Sequence, residues 1–189
     1  MLEIRFHGRG GQGTVLAAKI LADAVLRSGR RQCLAIPEFG VERRGAPVTA
    51  YARISEKPIV VRTRIYEPDA LVVLDTTLFG PDLLKGLKPG GTILVNSESS
   101  MARLEAAAPG FRIEPIPAKR IALEHKLGSA TSPVVNTAMC GAACAYFGLA
   151  DLAPLLAAVR ESVPVKLEEN AAAARETFEM VQEALHARA

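Results

Sequence analysis

Cysteine is scarce: Cys33, Cys140 and Cys144 are the whole complement. So small and odd a number argues against a disulfide framework and fits a reducing compartment, so a cytoplasmic location is expected. Cys140 and Cys144 share a face of an expected helix, but Gly141-Ala142-Ala143 between them reads as a small-residue packing seam with buried, inert thiols. Iron–sulfur clusters typically take four cysteine ligands, so none is expected on this chain. Histidine is equally thin, and His7, His125 and His186 are too dispersed for a metal site. Ser129 and Ser132 lack a paired histidine. No apolar run is long enough to span a bilayer. Glu3 and Arg5 break up the opening stretch, and no secretory leader is read there. The net charge of +3 is too small to point to nucleic acid.

The chain does have apolar residues in quantity, 49% of 189, enough for one compact domain over residues 1–189 with a real core. Its charge is uneven. Residues 1–64 hold twelve Lys/Arg against five Asp/Glu, and the remainder eleven against fifteen. The basic part therefore suits an anionic ligand or an acidic partner surface.

That part also carries the most informative stretch, Gly8-Arg9-Gly10-Gly11-Gln12-Gly13-Thr14. It fits G-x-G-x-x-G, between an apolar run ending at Phe6 and a helical pattern from Val15 to Arg27. Glycine permits unusual dihedrals and close approach of a ligand to the main chain. The unpaired N–H groups and positive end of the following helix favour an anion. Arg9 adds a mobile charge beside the turn. Two readings stand: an anion site, or a tight strand–helix connection that binds nothing.

The remaining pattern is α/β. Leu2–Phe6, Cys33–Ile36, Val48–Ile54, Ile59–Ile65, Leu71–Leu74, Thr92–Val95 and Phe111–Pro117 read as strands. The first helix begins at Gln12 or Gly13, and Met101–Ala108 is a short one. Residues 37–47, with Arg43-Arg44, are too polar and glycine-punctuated to be regular, and binding residues concentrate on such loops. Residues 48–65 read as an antiparallel hairpin around Ser55-Glu56-Lys57-Pro58. From residue 121 the chain is helical, in pieces at 121–127, 134–147, 152–161 and 168–187; Ser132-Pro133 signals the start of the second. The fold expected is a single doubly wound, mainly parallel sheet with an antiparallel hairpin edge and a helical C-terminal part. Asp75 and Glu98 end strands at the edge where such folds bind ligands, and each also reads as a helix cap or loop residue.

The residues Arg5 to Thr14 resemble the opening of the gamma subunit of pyruvate:ferredoxin oxidoreductase and related 2-oxoacid:acceptor oxidoreductases. Glu42-Arg43-Arg44-Gly45-Ala46-Pro47 with Ala52-Arg53-Ile54-Ser55, Pro68 to Asp75, and Leu167-Glu168-Glu169-Asn170 extend the likeness over nearly the whole chain. The resemblance implies a hetero-oligomer with alpha, beta and delta-type subunits. Thiamine diphosphate, Mg²⁺ and iron–sulfur clusters of the 4Fe-4S type would sit on those partners. The implied reaction is oxidative decarboxylation of a 2-oxoacid, pyruvate foremost, with coenzyme A to acyl-CoA and carbon dioxide. Ferredoxin or flavodoxin would accept the electrons. No catalytic residue is expected on this chain, and the isolated chain is expected to be inactive. Coenzyme A is an anion, which suits Arg9, Gly10, Gly11, Gln12, Gly13 and Thr14 with Arg43 and Arg44. Asn170 reads as a partner contact or a helix start, and the alanine-rich helices as partner-facing or internal. Two other classes remain open. A stand-alone NAD-binding dehydrogenase needs an acidic residue closing the second strand, roughly twenty residues past the turn, where Cys33 and Leu34 stand. A non-catalytic anion- or nucleotide-binding module is the other.

Overall fold

A computed structural model describes residues 1–38 and 44–188. Six strands form one sheet in the order β2-β3-β1-β4-β5-β6: β1 Leu2–Arg9, β2 Gln32–Pro37, β3 Pro47–Ser55, β4 Ala70–Val73, β5 Thr92–Asn96 and β6 Arg112–Ile116. β1, β4, β5 and β6 pair in parallel, while β3 lies antiparallel between β1 and β2. From β1 the chain goes one way to β2 and β3 and then the other way to β4. The β1/β4 boundary is therefore the topological switch point, where open α/β sheets form a ligand crevice.

Alternation along the strands sorts side chains between two unequal layers. Ile4, Phe6, Ala52, Val72, Leu74 and Leu94 face a large core shared with four helices: α1 Thr14–Arg27, α5 Asn136–Tyr146, α6 Leu152–Ser162 and α7 Leu167–His186. Leu71, Val73, Ile93, Val95 and Ile113 face a smaller one, closed by Leu83 of α2 (Pro81–Leu84) and Leu104 of α3 (Met101–Ala107). α4, Ala118–Glu124, adds Ile121 and Ala122 to the large core. The second cover stops at β4. Beyond it, the same face of β1 and β3 carries Glu3, Arg5, His7, Thr49, Tyr51 and Arg53, a polar set met by main-chain carbonyls rather than apolar side chains: Arg5 by those of Leu83 and Lys85, and Arg53 by those of residues 61, 63 and 64.

The antiparallel edge is present, but between partners other than those expected. Residues 59–65 form no strand, because both edges of β3 are already filled by β1 and β2. Pro58 breaks the run, and the buried Arg53 guanidinium takes over the strap that follows. Its Nη1 donates to the carbonyls of Val61 at 3.1 Å and Thr63 at 2.5 Å, while Nε meets Glu3 at 2.7 Å. Ser132-Pro133 does not start a helix either. It is β8 of a two-residue ladder with β7, Gly128–Ser129, in which Ser129 Oγ accepts from the Ser132 N–H, and α5 begins at Asn136. The alanine-rich helices turn inward: Ala138, Ala142, Ala143, Ala171, Ala173 and Ala174 are all buried. Asn170 is buried with them, accepting from Thr137 Oγ1 at 3.0 Å and donating to the Lys166 carbonyl at 2.9 Å. Its geometry is that of a helix-start residue facing the core.

Candidate functional site

β1 runs on through Gly8 and Arg9, paired with Val48 and Pro47, so the turn proper is only Gly10–Gly13. Gly11 at φ +95° and Gly13 at φ +76° take backbone conformations that side chains resist. Gly13 serves as the N-cap of α1 without any side-chain cap. The N–H groups of Gly11, Gly13, Thr14, Val15 and Leu16 meet no acceptor among the described residues, whereas those of Gly10 and Gln12 are spent on Ala46 and Arg9 carbonyls. Space for a side chain at Gly11 is empty. Beside this row of donors opens a pocket of about 580 Å³, lined by Gly11, Gly13, Thr14 and Val15 with Arg9 and Arg44. Open N–H donors at the start of a fourteen-residue helix, with Arg9 and Arg44 among the lining residues, form an anion-accepting geometry.

Arg44 owes its place to the backbone. Gly10 N donates to Ala46 O at 2.8 Å and Gly45 N to Gly10 O at 3.1 Å, which fastens the end of its loop to the turn. Arg43 lies outside the described residues. Arg9 is not the mobile charge the sequence implied. Its Nη2 and Nε donate to Thr77 Oγ1 at 2.8 and 3.0 Å, its Nη1 donates to Gly45 O at 3.0 Å, and Asp75 Oδ2 stands 3.4 Å from Nε.

Gln12 is likewise engaged. Its Nε2 donates to Asp75 Oδ2 at 2.8 Å and its Oε1 accepts from Arg9 N at 2.7 Å, which latches the carboxyl ends of β1 and β4 together across the switch point. Burial pushes the Asp75 carboxyl up. The Thr77 hydroxyl and N–H, the Gln12 amide and the Arg9 charge outweigh that and hold it below the ordinary carboxylate value. Thr14 Oγ1 is buried beside Gly8 and makes no hydrogen bond; it is the one such side-chain atom among the described residues. The structure thus divides the expected residues. Gly11, Gly13, Thr14 and Arg44 present main chain or charge to the pocket, Gly10 and Arg9 line it as well, and Gln12 lines the second pocket instead.

Asp75 caps the short helical turn at 76–78, as one of its two readings had it, by accepting from the Thr77 N–H at 2.9 Å; its latch to Gln12, 63 residues away in the chain, escaped the sequence reading. Asn136, the first residue of α5, packs its amide against Gly13, so a side chain at Gly13 would collide with it; nothing in the sequence linked the two. On the far side of Gln12 a second pocket of about 610 Å³ is lined by Asp75, Asn96, Glu98 and Lys119. Cys33 and Cys144 are pushed up to about 12 by burial, and Cys140 is also raised, as expected for inert thiols. At the end of β2, Glu38 accepts from Tyr51 Oη at 2.6 Å and pairs with Arg64 at 3.4 Å. With β3 between β2 and β1, it stands a further strand spacing, about 4.8 Å, from the turn. That differs from the dinucleotide-binding order, in which the two strands are neighbours.

His7, in β1 beneath this site, is neutral. Burial, and secondarily the Arg5 charge, push it down to about 3. Its Nε2 accepts from Arg5 Nε at 2.8 Å, so the proton sits on Nδ1. An unfolded histidine titrates near 6.5. Between about 6.5 and about 3 the unfolded chain therefore binds the extra proton, and stability falls as pH falls through that window while remaining complete above it. Denaturation midpoints at pH 7.5 and 4.5 should show this loss, and His7→Gln, which keeps an acceptor for Arg5, should shrink it. An equal loss in the variant would exclude His7 as the source.

Comparison with known proteins was made against this geometry. The family model described as pyruvate ferredoxin/flavodoxin oxidoreductase matches residues 3–180. The chain is 47% identical over 186 residues to the pyruvate/ketoisovalerate oxidoreductases common subunit gamma of Pyrococcus abyssi, covering 96% of this chain and 98% of that one. It is 45% identical over 184 residues to pyruvate synthase subunit PorC of Methanothermobacter marburgensis, covering 96% and 98%. The crystal structure of pyruvate oxidoreductase subunit PORC from Thermotoga maritima superposes with a TM-score of 0.79 at 32% identity, covering 94% and 95% of the two chains.

Proposed function

This chain belongs to the pyruvate ferredoxin/flavodoxin oxidoreductase family, and we propose that it is the gamma subunit of a multi-subunit 2-oxoacid:acceptor oxidoreductase acting on pyruvate. The carrying observation is the near end-to-end match with gamma and PorC subunits. The reaction is oxidative decarboxylation with coenzyme A to acyl-CoA and carbon dioxide. Thiamine diphosphate, Mg²⁺ and the iron–sulfur clusters belong to alpha, beta and delta-type partners, and ferredoxin or flavodoxin takes the electrons. This chain contributes a wall of the route by which coenzyme A reaches the reacting adduct. Its pocket at the glycine turn holds phosphate oxygens of coenzyme A on the open N–H groups of Gly11 and of Gly13 to Leu16. Arg44 supplies charge at the rim, Arg43 beside it in sequence is assigned to the same ligand, and Arg9 holds the turn in shape through Thr77 and Asp75.

The test is purification of the native complex, with identification of its chains and assay of pyruvate-dependent acceptor reduction. Partner chains carrying thiamine diphosphate and iron should accompany this one. In that complex Arg44→Ala should raise the KM for coenzyme A about threefold to tenfold, the effect of losing one charge-assisted contact, with unchanged subunit stoichiometry. Weakened assembly at an unchanged KM would turn Arg44 into an interface residue and remove the ligand reading.

A further inference from the structure

The strap between β3 and β4 is built of sheet-forming residues that find no sheet. Ile59-Val60-Val61-Arg62-Thr63-Arg64-Ile65 is β-branched at five of seven positions, a composition that favours strands. Its carbonyls at 61, 63 and 64 accept from Arg53. The main-chain groups of Val60 and Arg62 meet no partner among the described residues. Among the described residues, no main-chain acceptor is found for any N–H from residue 59 to 67. Side chains follow suit: Val60 is 84% exposed, and Val61 and Tyr66 are also exposed. Only Ile65 is anchored in the interior. The segment carries Lys57 and Arg62, with Arg64 engaged by Glu38 and the Tyr66 ring, and no acidic residue from 57 to 66. It also crosses the half of the sheet face that α2 and α3 leave without cover.

We propose that this strap is a docking edge: an extended, carboxylate-bearing segment of a partner subunit adds to it by main-chain pairing at Val60 and Arg62. Open N–H and C=O groups supply affinity, as in strand addition generally. Alternating apolar and basic side chains set the register and choose an acidic partner. Pairing would also satisfy an exposed edge of the kind that folded proteins seldom leave bare. The proposal rests on the reading of this chain as a subunit.

The experiment compares hydrogen exchange of the full chain alone with that of the same chain in the native complex. The amides of residues 60 and 62 should exchange at least about tenfold more slowly in the complex. Val60→Pro removes one N–H, leaves the charge unchanged and sits at an exposed position. It should weaken association about tenfold, the scale of one hydrogen bond, with the thermal midpoint of the isolated chain unaltered. Arg62→Glu should weaken it too, and more strongly at low salt than at high. Normal assembly with the strap amides as fast as in the isolated chain overturns the docking edge and leaves the subunit reading intact. Failure of the wild-type chain to accompany any partner overturns the subunit reading itself. Protection of these amides in a dimer of the isolated chain would make the occupant a second copy and overturn the acidic partner.

Discussion

Replacing Gly141 with alanine should lower the stability of the chain by about 2–4 kcal/mol, a large part of what a domain this size has in reserve. Gly141 lies midway along α5, where that helix meets α7 backbone to backbone. A Cβ there would stand inside 3.0 Å of both the Ala174 carbonyl and Thr177 Oγ1. Neither can yield. The carbonyl belongs to the helix ladder, and Thr177 Oγ1 is committed to Ala138 O at 2.7 Å. The helices must separate, and Ala138, Ala142 and Ala173 lose their contacts together. Ordinary Gly→Ala exchange in a helix is favourable by roughly 1 kcal/mol, so the sign of the result distinguishes packing from propensity. Chemical denaturation of the purified variant measures it, and a loss below about 1 kcal/mol would sink the close-approach account.

Arg5→Met should cost nearly as much, about 3 kcal/mol, although no carboxylate among the described residues touches the guanidinium. Arg5 is only 9% exposed. It donates through Nη2 to the carbonyls of Leu83 at 2.7 Å and Lys85 at 2.9 Å, and through Nε to His7. Burial lowers its pKa, Tyr51 and Glu38 opposing from a distance. Methionine preserves much of the volume and removes every donor, so two carbonyls at the end of α2 and one imidazole nitrogen lose their partner. A second readout separates this from simple loss of packing. With the neighbouring positive charge gone, His7 should titrate at higher pH, visible in its imidazole proton shifts. An unchanged His7 titration in a destabilised Arg5→Met chain would show that the interaction between the two is not what the geometry implies.

Local features were legible from residues alone. Leu71 to Leu74 read as a strand, and the structure puts β4 there with both its faces buried. The glycine spacing with its strand before and helix after gave the turn. What stayed hidden was set by distant parts of the chain. Residues 59–65 have the alternation of a strand, and only the occupation of both β3 edges by β1 and β2 denies them a place. Ser132-Pro133 has the chemistry of a helix start, but a two-residue ladder with Gly128-Ser129 claims it first. The contacts that hold Arg9 and Gln12 were hidden because Thr77 and Asp75 are more than sixty residues away in the chain. Gly13 had its turn conformation written locally, but its steric reason, Asn136, arrives from the other end of the chain. The family likeness supplied the subunit reading, which spacing and composition did not contain.

The helix layer over the large core has a consequence for the order of synthesis. Ile4 and Phe6 are buried with Ala171, Phe178 and Val181, which are made at least about 165 residues later. Until α5, α6 and α7 leave the ribosome, one face of the six-stranded sheet stands uncovered, with only α1 and α4 to shield it. Such long-range closure is slow and exposes apolar surface while it waits. The nascent chain is therefore most vulnerable once β6 is made and α5 is not, and a chain truncated ahead of Asn136 should be held by chaperones or lost to aggregates rather than persist as a smaller fold.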